Sequence, residues 1–174
     1  MARNEEKPKT MTELLPQHQI DRFKAKAAAI SHPHEMIIDL LRAIQAHHGW
    51  VPDDGVLLAS ETLGVLAIEV EEVATFYDKI FRRQVGKRVI HVCDSICCWS
   101  AGAEMITEHL QEVLGIGLGE TTADGIFTLL PTCCLGSCGD APAMMIGLTT
   151  YGLLTAEKID DILHKERAAV AAEG

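Results

Sequence analysis

The residues able to do chemistry in this chain are thiols. All six cysteines fall in two short runs, Cys93-Asp94-Ser95-Ile96-Cys97-Cys98 and Cys133-Cys134-Leu135-Gly136-Ser137-Cys138. Thiols gathered in this way serve as disulfide staples, as a zinc site or as ligands of an iron–sulfur cluster. Disulfides belong to oxidising compartments and are most useful in small domains short of core. The chain opens Met1-Ala2-Arg3-Asn4-Glu5-Glu6-Lys7, with no apolar stretch of the kind a secretory signal needs. At 174 residues it can bury a core without staples. Zinc ribbons pair close-set cysteine knuckles, often with a histidine, whereas the gaps here are wider and neither run contains histidine. A thioredoxin-type redox pair requires C-x-x-C, which neither run contains. The neighbours Cys97-Cys98 and Cys133-Cys134 would make strained vicinal disulfides.

Ligation of iron by four thiolates fits these runs best, although not in the plant-ferredoxin spacing. Spacing does not choose four ligands from six. Cys93 pairs either with Cys98 or with Cys97, and the second run offers Cys134 with Cys138 or Cys133 with Cys138.

The elements that must hold these runs can be read from periodicity. Arg88-Val89-Ile90-His91-Val92 is a β-branched, apolar stretch that runs as a strand into Cys93, and Ile126-Phe127-Thr128-Leu129-Leu130 does the same for Cys133 and Cys134. Between them, Ile106, Leu110, Val113 and Leu114 predict a helix from about Gly102 to Leu114. The glycine-rich Gly115–Gly119 stretch ends that helix instead of opening one, so it reads as a turn and not as a dinucleotide loop. Ala143–Ile146 predicts a third short strand, Gly147–Gly152 a turn with a further short strand, and Thr155 the cap of a final helix. Strands leading into both runs would bring the cysteines to one end of a sheet.

Upstream the pattern is helical. Gln17–Ile30 is Ala-rich and charged; Pro33 suits the first turn of a helix that Gly49 closes, with Met36, Ile37, Leu40, Leu41 and Ile44 on one face. Asp53 or Asp54 is expected to cap a third helix that stops at Gly64, and a fourth carries Val70, Val73, Ala74, Tyr77 and Ile80. The histidines near these helix ends, His32, His34, His47 and His48, read as structural or surface groups. Met36, Met105, Met144 and Met145 read as core filling.

Composition bounds the rest. An apolar fraction of 48% with 23% charged residues describes a globular chain, and no stretch is long and apolar enough to span a bilayer. The net charge of −10 argues against nucleic-acid binding. Arg82-Arg83 and Lys87-Arg88 are the one small basic concentration and read as a solvated interdomain link.

Three stretches together resemble one family: Cys93-x₄-Cys98-Trp99-Ser100-Ala101-Gly102, Gly119-Glu120-Thr121-Thr122-Ala123-Asp124-Gly125, and Cys134-Leu135-Gly136-Ser137-Cys138-Gly139-Asp140-Ala141-Pro142. Gly49-Trp50-Val51-Pro52 and Val73-Ala74-Thr75-Phe76-Tyr77 extend the likeness. The family is the thioredoxin-like 2Fe-2S subunit of NADH-quinone oxidoreductase (respiratory complex I), and the likeness spans roughly residues 17 to 165.

The resemblance implies an α/β chain: an N-terminal helical domain followed by a thioredoxin-like ferredoxin domain with a small mixed sheet. Its boundaries would be a flexible tail at 1–16, the helical domain at 17–84, the 2Fe-2S domain at 85–166 and a C-terminal tail at 167–174. It implies Cys93, Cys98, Cys134 and Cys138 as the ligands of a 2Fe-2S cluster, leaving Cys97 and Cys133 as small buried hydrophobes. It implies a one-electron carrier with no substrate site of its own, working in an NADH:quinone oxidoreductase. FMN and NADH would be bound by a partner subunit, with further peripheral-arm subunits alongside. That places the chain in the cytoplasm, held against the inner membrane through the complex. Two other readings stand beside it: the equivalent diaphorase subunit of an NAD-linked hydrogenase or formate dehydrogenase, and a zinc-binding structural or assembly subunit.

Overall fold

A computed structural model describes residues 11–173, which divide into two compact units between Gln84 and Val85.

The first unit is helical: α1 (Met11–Leu14), α2 (Gln17–Ala29), a 3-10 turn (Pro33–Met36), α3 (Ile37–His48), α4 (Asp53–Leu63) and α5 (Ala67–Phe76). Helix α3 shows the logic of the unit. Ile37, Leu40, Leu41 and Ile44 recur at helical spacing and are all buried, and Gly49 ends the helix in the left-handed region at φ 95°. Its amide returns to the Gln45 carbonyl at 2.7 Å. The core of this unit continues through Ile20, Leu58, Ala59, Val70 and Ala74.

Four features of this unit depart from expectation. Leu14 and Leu15, assigned from sequence to a flexible tail, are 1% and 0% exposed and belong to the core; the remainder of that predicted tail, residues 1–10, lies outside the described residues. The two leucine side chains remove from water an apolar surface that a tail would leave wet. Asp53 and Asp54 do not cap α4. Pro52 occupies the cap position, its carbonyl accepting from the amides of Gly55 and Val56, and the two carboxylates sit in the first turn, where the helix dipole favours them.

Helix α5 stops at Phe76, short of Ile80. Gln45 takes over there, donating to the Lys79 carbonyl at 2.9 Å and accepting from the Phe81 amide at 2.7 Å, which supports an extended segment and leaves Ile80 buried. Arg82 is no solvated link. Its guanidinium bonds the Glu71 carboxylate, the Asp53 carboxylate at 2.8 Å and the Val51 carbonyl.

The second unit is built on a four-stranded sheet of β1 (Arg88–Cys93), β2 (Phe127–Thr132), β3 (Met144–Ile146) and β4 (Thr149–Tyr151), in the order β2-β1-β3-β4. Strand β1 runs parallel to β2 and antiparallel to β3, which pairs antiparallel with β4. The parallel pair requires a crossover, supplied by α6 (Ile96–Ser100) and α7 (Ala103–Leu114). Ile90, Leu110, Phe127, Leu129, Met144 and Ile159 are fully buried between sheet and helices. Met144 fills core as expected, whereas Met105 is 69% exposed.

Helix α8 (Ala156–Ala172) closes the unit, with the Thr155 hydroxyl accepting from the Lys158 amide at 3.3 Å. It runs well past residue 166, where the sequence suggested that a tail begins. Val170 is buried, and Arg88 bonds Glu166 at 2.8 Å and also Glu173, so the last turns are fixed to the sheet. No helix among the described residues is long and apolar enough to cross a membrane.

Candidate metal centre

Because β1 and β2 are parallel and in register from Arg88↔Phe127 to Cys93↔Thr132, both strands end at the same edge of the sheet. Cys93 is the last residue of β1, and Cys133 and Cys134 follow directly on β2. The Asp94 amide bonds the Thr132 carbonyl at 3.1 Å, and the Cys93 amide bonds the Ala143 carbonyl at 3.1 Å, so the backbone of the first run is tied to its neighbours on both sides.

The remaining thiols are held by short helical turns. Cys97 and Cys98 lie on α6, which the sequence reading did not anticipate; five residues give too few periodic positions to declare a helix. Ser95 precedes it in an extended conformation. Cys138 opens a 3-10 turn over Cys138–Asp140, and Ala141–Pro142 beyond it is a cis peptide.

The thiols form a connected line. Cys98 interacts with Cys93, Cys93 with Cys134, and Cys134 with Cys138. These interactions link, pair by pair, the four cysteines that the family likeness singles out. Cys93 and Cys98 are buried with Ala103 and Ala143 against them, while Cys134 and Cys138 are exposed. Cys97 and Cys133 are exposed too, not buried hydrophobes. Cys97 contacts Cys138, and the Ser95 hydroxyl contacts Cys134. Neither contact was foreseen; Ser95 sits only two residues after Cys93, and that position was the one available signal.

Electrostatics differ along the line. The Gly136 amide donates to Cys134 Sγ at 3.4 Å, and this bond, above the smaller contributions of Cys138, Ser95 and Cys93, holds the Cys134 thiol below its ordinary pKa. Cys98 is pushed up, first by burial and then by Cys93. Cys138 is pushed up to about 11 by its bond to Cys97 and by the neighbouring thiolates. Thiols this close resist ionising together unless cations lie among them.

Thiolates are the donor type that a 2Fe-2S cluster takes. Each of two irons takes two thiolates in such a cluster, and amide donors to sulfur stabilise it. Here two buried and two exposed thiols meet beside the Gly136 amide. Among the described residues, no three His, Cys, Asp or Glu side chains, these thiols included, are drawn together as a metal-ion site. The four histidines near helix ends are in the other unit.

Comparison with known proteins agrees. The family model described as thioredoxin-like [2Fe-2S] ferredoxin matches residues 20–167. The E-type subunit of NADH-quinone oxidoreductase from Pseudomonas aeruginosa is 44% identical over 155 residues, covering 83% of this chain and 93% of the relative. The subunits of the same name from Salmonella typhimurium and Escherichia coli K12 are each 43% identical over 159 residues, covering 86% of this chain and 96% of the relative. Among solved structures, an NAD+-reducing NiFe-hydrogenase in the H2-reduced state superposes with a TM-score of 0.63 at 26% identity over 74% of this chain. This chain spans only 22% of that hydrogenase chain.

Proposed function

The chain belongs to the thioredoxin-like 2Fe-2S ferredoxin family, and from that premise we propose that it is the one-electron carrier subunit of an NADH-quinone oxidoreductase, its cluster held by Cys93, Cys98, Cys134 and Cys138. The observation that carries this reading is the common end of β1 and β2, where the two cysteine runs meet. When bound there, a 2Fe-2S cluster supplies reversible one-electron transfer.

The chain's own residues do the rest. The sheet fixes Cys93, and α6 fixes Cys98, both out of water. Exclusion of water on that side strengthens every charge interaction with the thiolates. The Gly136 amide compensates negative charge on Cys134. Cys134 and Cys138 leave the other side exposed, the face from which electrons enter and leave. In this reading the partner is the FMN- and NADH-binding subunit of the same complex. The assembly holds the chain at the cytoplasmic face of the membrane.

The likeness to the NAD+-reducing hydrogenase favours a second reading, in which the chain is the equivalent subunit of a diaphorase. The greater identity and coverage of the NADH-quinone oxidoreductase relatives support the first.

The test is anaerobic reconstitution with iron and sulfide, assayed on one sample by metal analysis and electron paramagnetic resonance. About two irons and two sulfides per chain, with a signal that appears on reduction, are expected. Cys98→Ser or Cys134→Ser should abolish that signal, and Cys97→Ser or Cys133→Ser should spare it. Zinc without sulfide would leave a scaffold and sink the carrier reading.

A further inference from the structure

A side-chain-sized cavity of about 220 Å³ opens beside the thiol site in the second unit. Val92, Ala103, Leu118 and Pro131 line it with apolar atoms, and the Trp99 ring stands at its mouth, 60% exposed. Two carboxylates, Asp94 and Glu104, complete the rim. Neither forms an ion pair with a cation among the described residues, although Asp124 and Glu166 of the same unit both do. Of the other lining side chains, Leu118 is 44% exposed. An apolar slot with an aromatic lip and two unneutralised carboxylates has a definite complement. It is a flat cation on an apolar stem, which stacks on an indole and accepts both acids as partners.

We propose that this pocket receives an arginine side chain of the electron-exchanging partner protein. The inference rests on the carrier reading, since that reading supplies the partner. Asp94 follows Cys93 and Trp99 follows Cys98 in sequence, so an arginine seated here would set the partner against the thiol site and bring a positive charge beside it. The exposed apolar rim then becomes buried interface, and the guanidinium offsets the two carboxylates. A central anchored arginine ringed by apolar contacts is a common form of interface hot spot.

Two measurements on the assembled complex test this. In the first, p-benzoylphenylalanine replaces Leu118 and is photo-cross-linked, and the adduct is sequenced by mass spectrometry. A cross-linked segment of another subunit with an arginine within about three residues of the adduct supports the proposal. No adduct, or an adduct to a segment without arginine, overturns it. In the second, Glu104→Lys should weaken retention of this chain in the complex by roughly tenfold or more, with Glu104→Gln intermediate. Unchanged retention of Glu104→Lys also overturns it. The reduced-state resonance signal is recorded on each sample: its absence from the unsubstituted chain would refute the carrier reading, whereas failure of the cross-link with the signal present refutes the pocket alone.

Discussion

Gly136 places its amide 3.4 Å from Cys134 Sγ from a backbone at φ 74°, a conformation that side-chain-bearing residues adopt only under strain. A Cβ there would meet nothing within 4 Å, so the constraint is conformational and not steric. Gly136→Ala should therefore destabilise the loop by about 1 kcal/mol, and Gly136→Val by more. With the amide displaced, the reconstituted cluster should shift to lower potential, since amide donors to sulfur raise it. Redox titration of the two variants reads the shift; an unchanged potential would show that this bond does not tune the site.

The same bond makes a prediction for the cluster-free chain. Cys134 is exposed and held below its usual pKa, whereas Cys138 is exposed and raised to about 11. At pH 8 the thiolate fraction of Cys138 is the smaller by well over tenfold, and the greater intrinsic nucleophilicity of the more basic thiol recovers only part of that gap. Iodoacetamide labelling followed by peptide mapping should find Cys134 modified on the order of ten times faster than Cys138. Cys97→Ser, which removes the largest cause of the upward shift, should narrow the gap.

Acid sensitivity has a named source in Asp124. Its carboxylate accepts from the Thr122 hydroxyl, from the Ile126 amide at 3.0 Å and from Arg167, and its pKa is lowered from 3.8 to about 2. A carboxylate with a depressed folded-state pKa contributes stability that is present above its unfolded pKa. That contribution is lost as pH falls through the folded value. The loss attributable to Asp124 thus lies between about pH 4 and pH 2. Asp124→Asn should be less stable at neutral pH and should lack this part of the acid transition, as urea titrations at pH 7 and pH 3 would report.

Gly152 is constrained by space. A Cβ at this position would stand 2.4 Å from Asp140 Cβ and 2.6 Å from its carbonyl oxygen. Asp140 ends the short turn that Cys138 begins. Gly152→Ala must therefore push that turn, at a cost of about 1–3 kcal/mol by analogy with overpacking. The expected result is a lower melting temperature and a changed visible spectrum after reconstitution. Gly147→Ala, where a Cβ meets nothing within 4 Å but φ is 59°, should cost stability and still leave the spectrum alone.

Much of the site was legible because its two halves follow short, largely apolar strands. Ile90, Val92, Phe127 and Leu129 declare strands, and strands point both cysteine runs at one sheet edge. Leu40, Leu41 and Ile44 declare a helix equally plainly. The features that escaped depend on partners remote in sequence. Gln45 ends the α5 region by bonding residues 79 and 81, and Arg88 keeps α8 helical to its end by bonding Glu166 and Glu173. Leu14 and Leu15 gave too short a run to show a period. The neighbours Ser95 and Cys97 came into view only once α6 existed to present them.

The register Cys93↔Thr132 also gives the site a place in time. Cys98 and Cys134 are separated by the whole of α7, the turn after it and β2, so no local fluctuation of the chain joins them. They meet only when the parallel pair closes, and closing a loop of that length is a late, entropically costly event. A chain refolding from denaturant with iron and sulfide already present therefore carries its own clock: the visible colour cannot precede the pairing of β1 with β2.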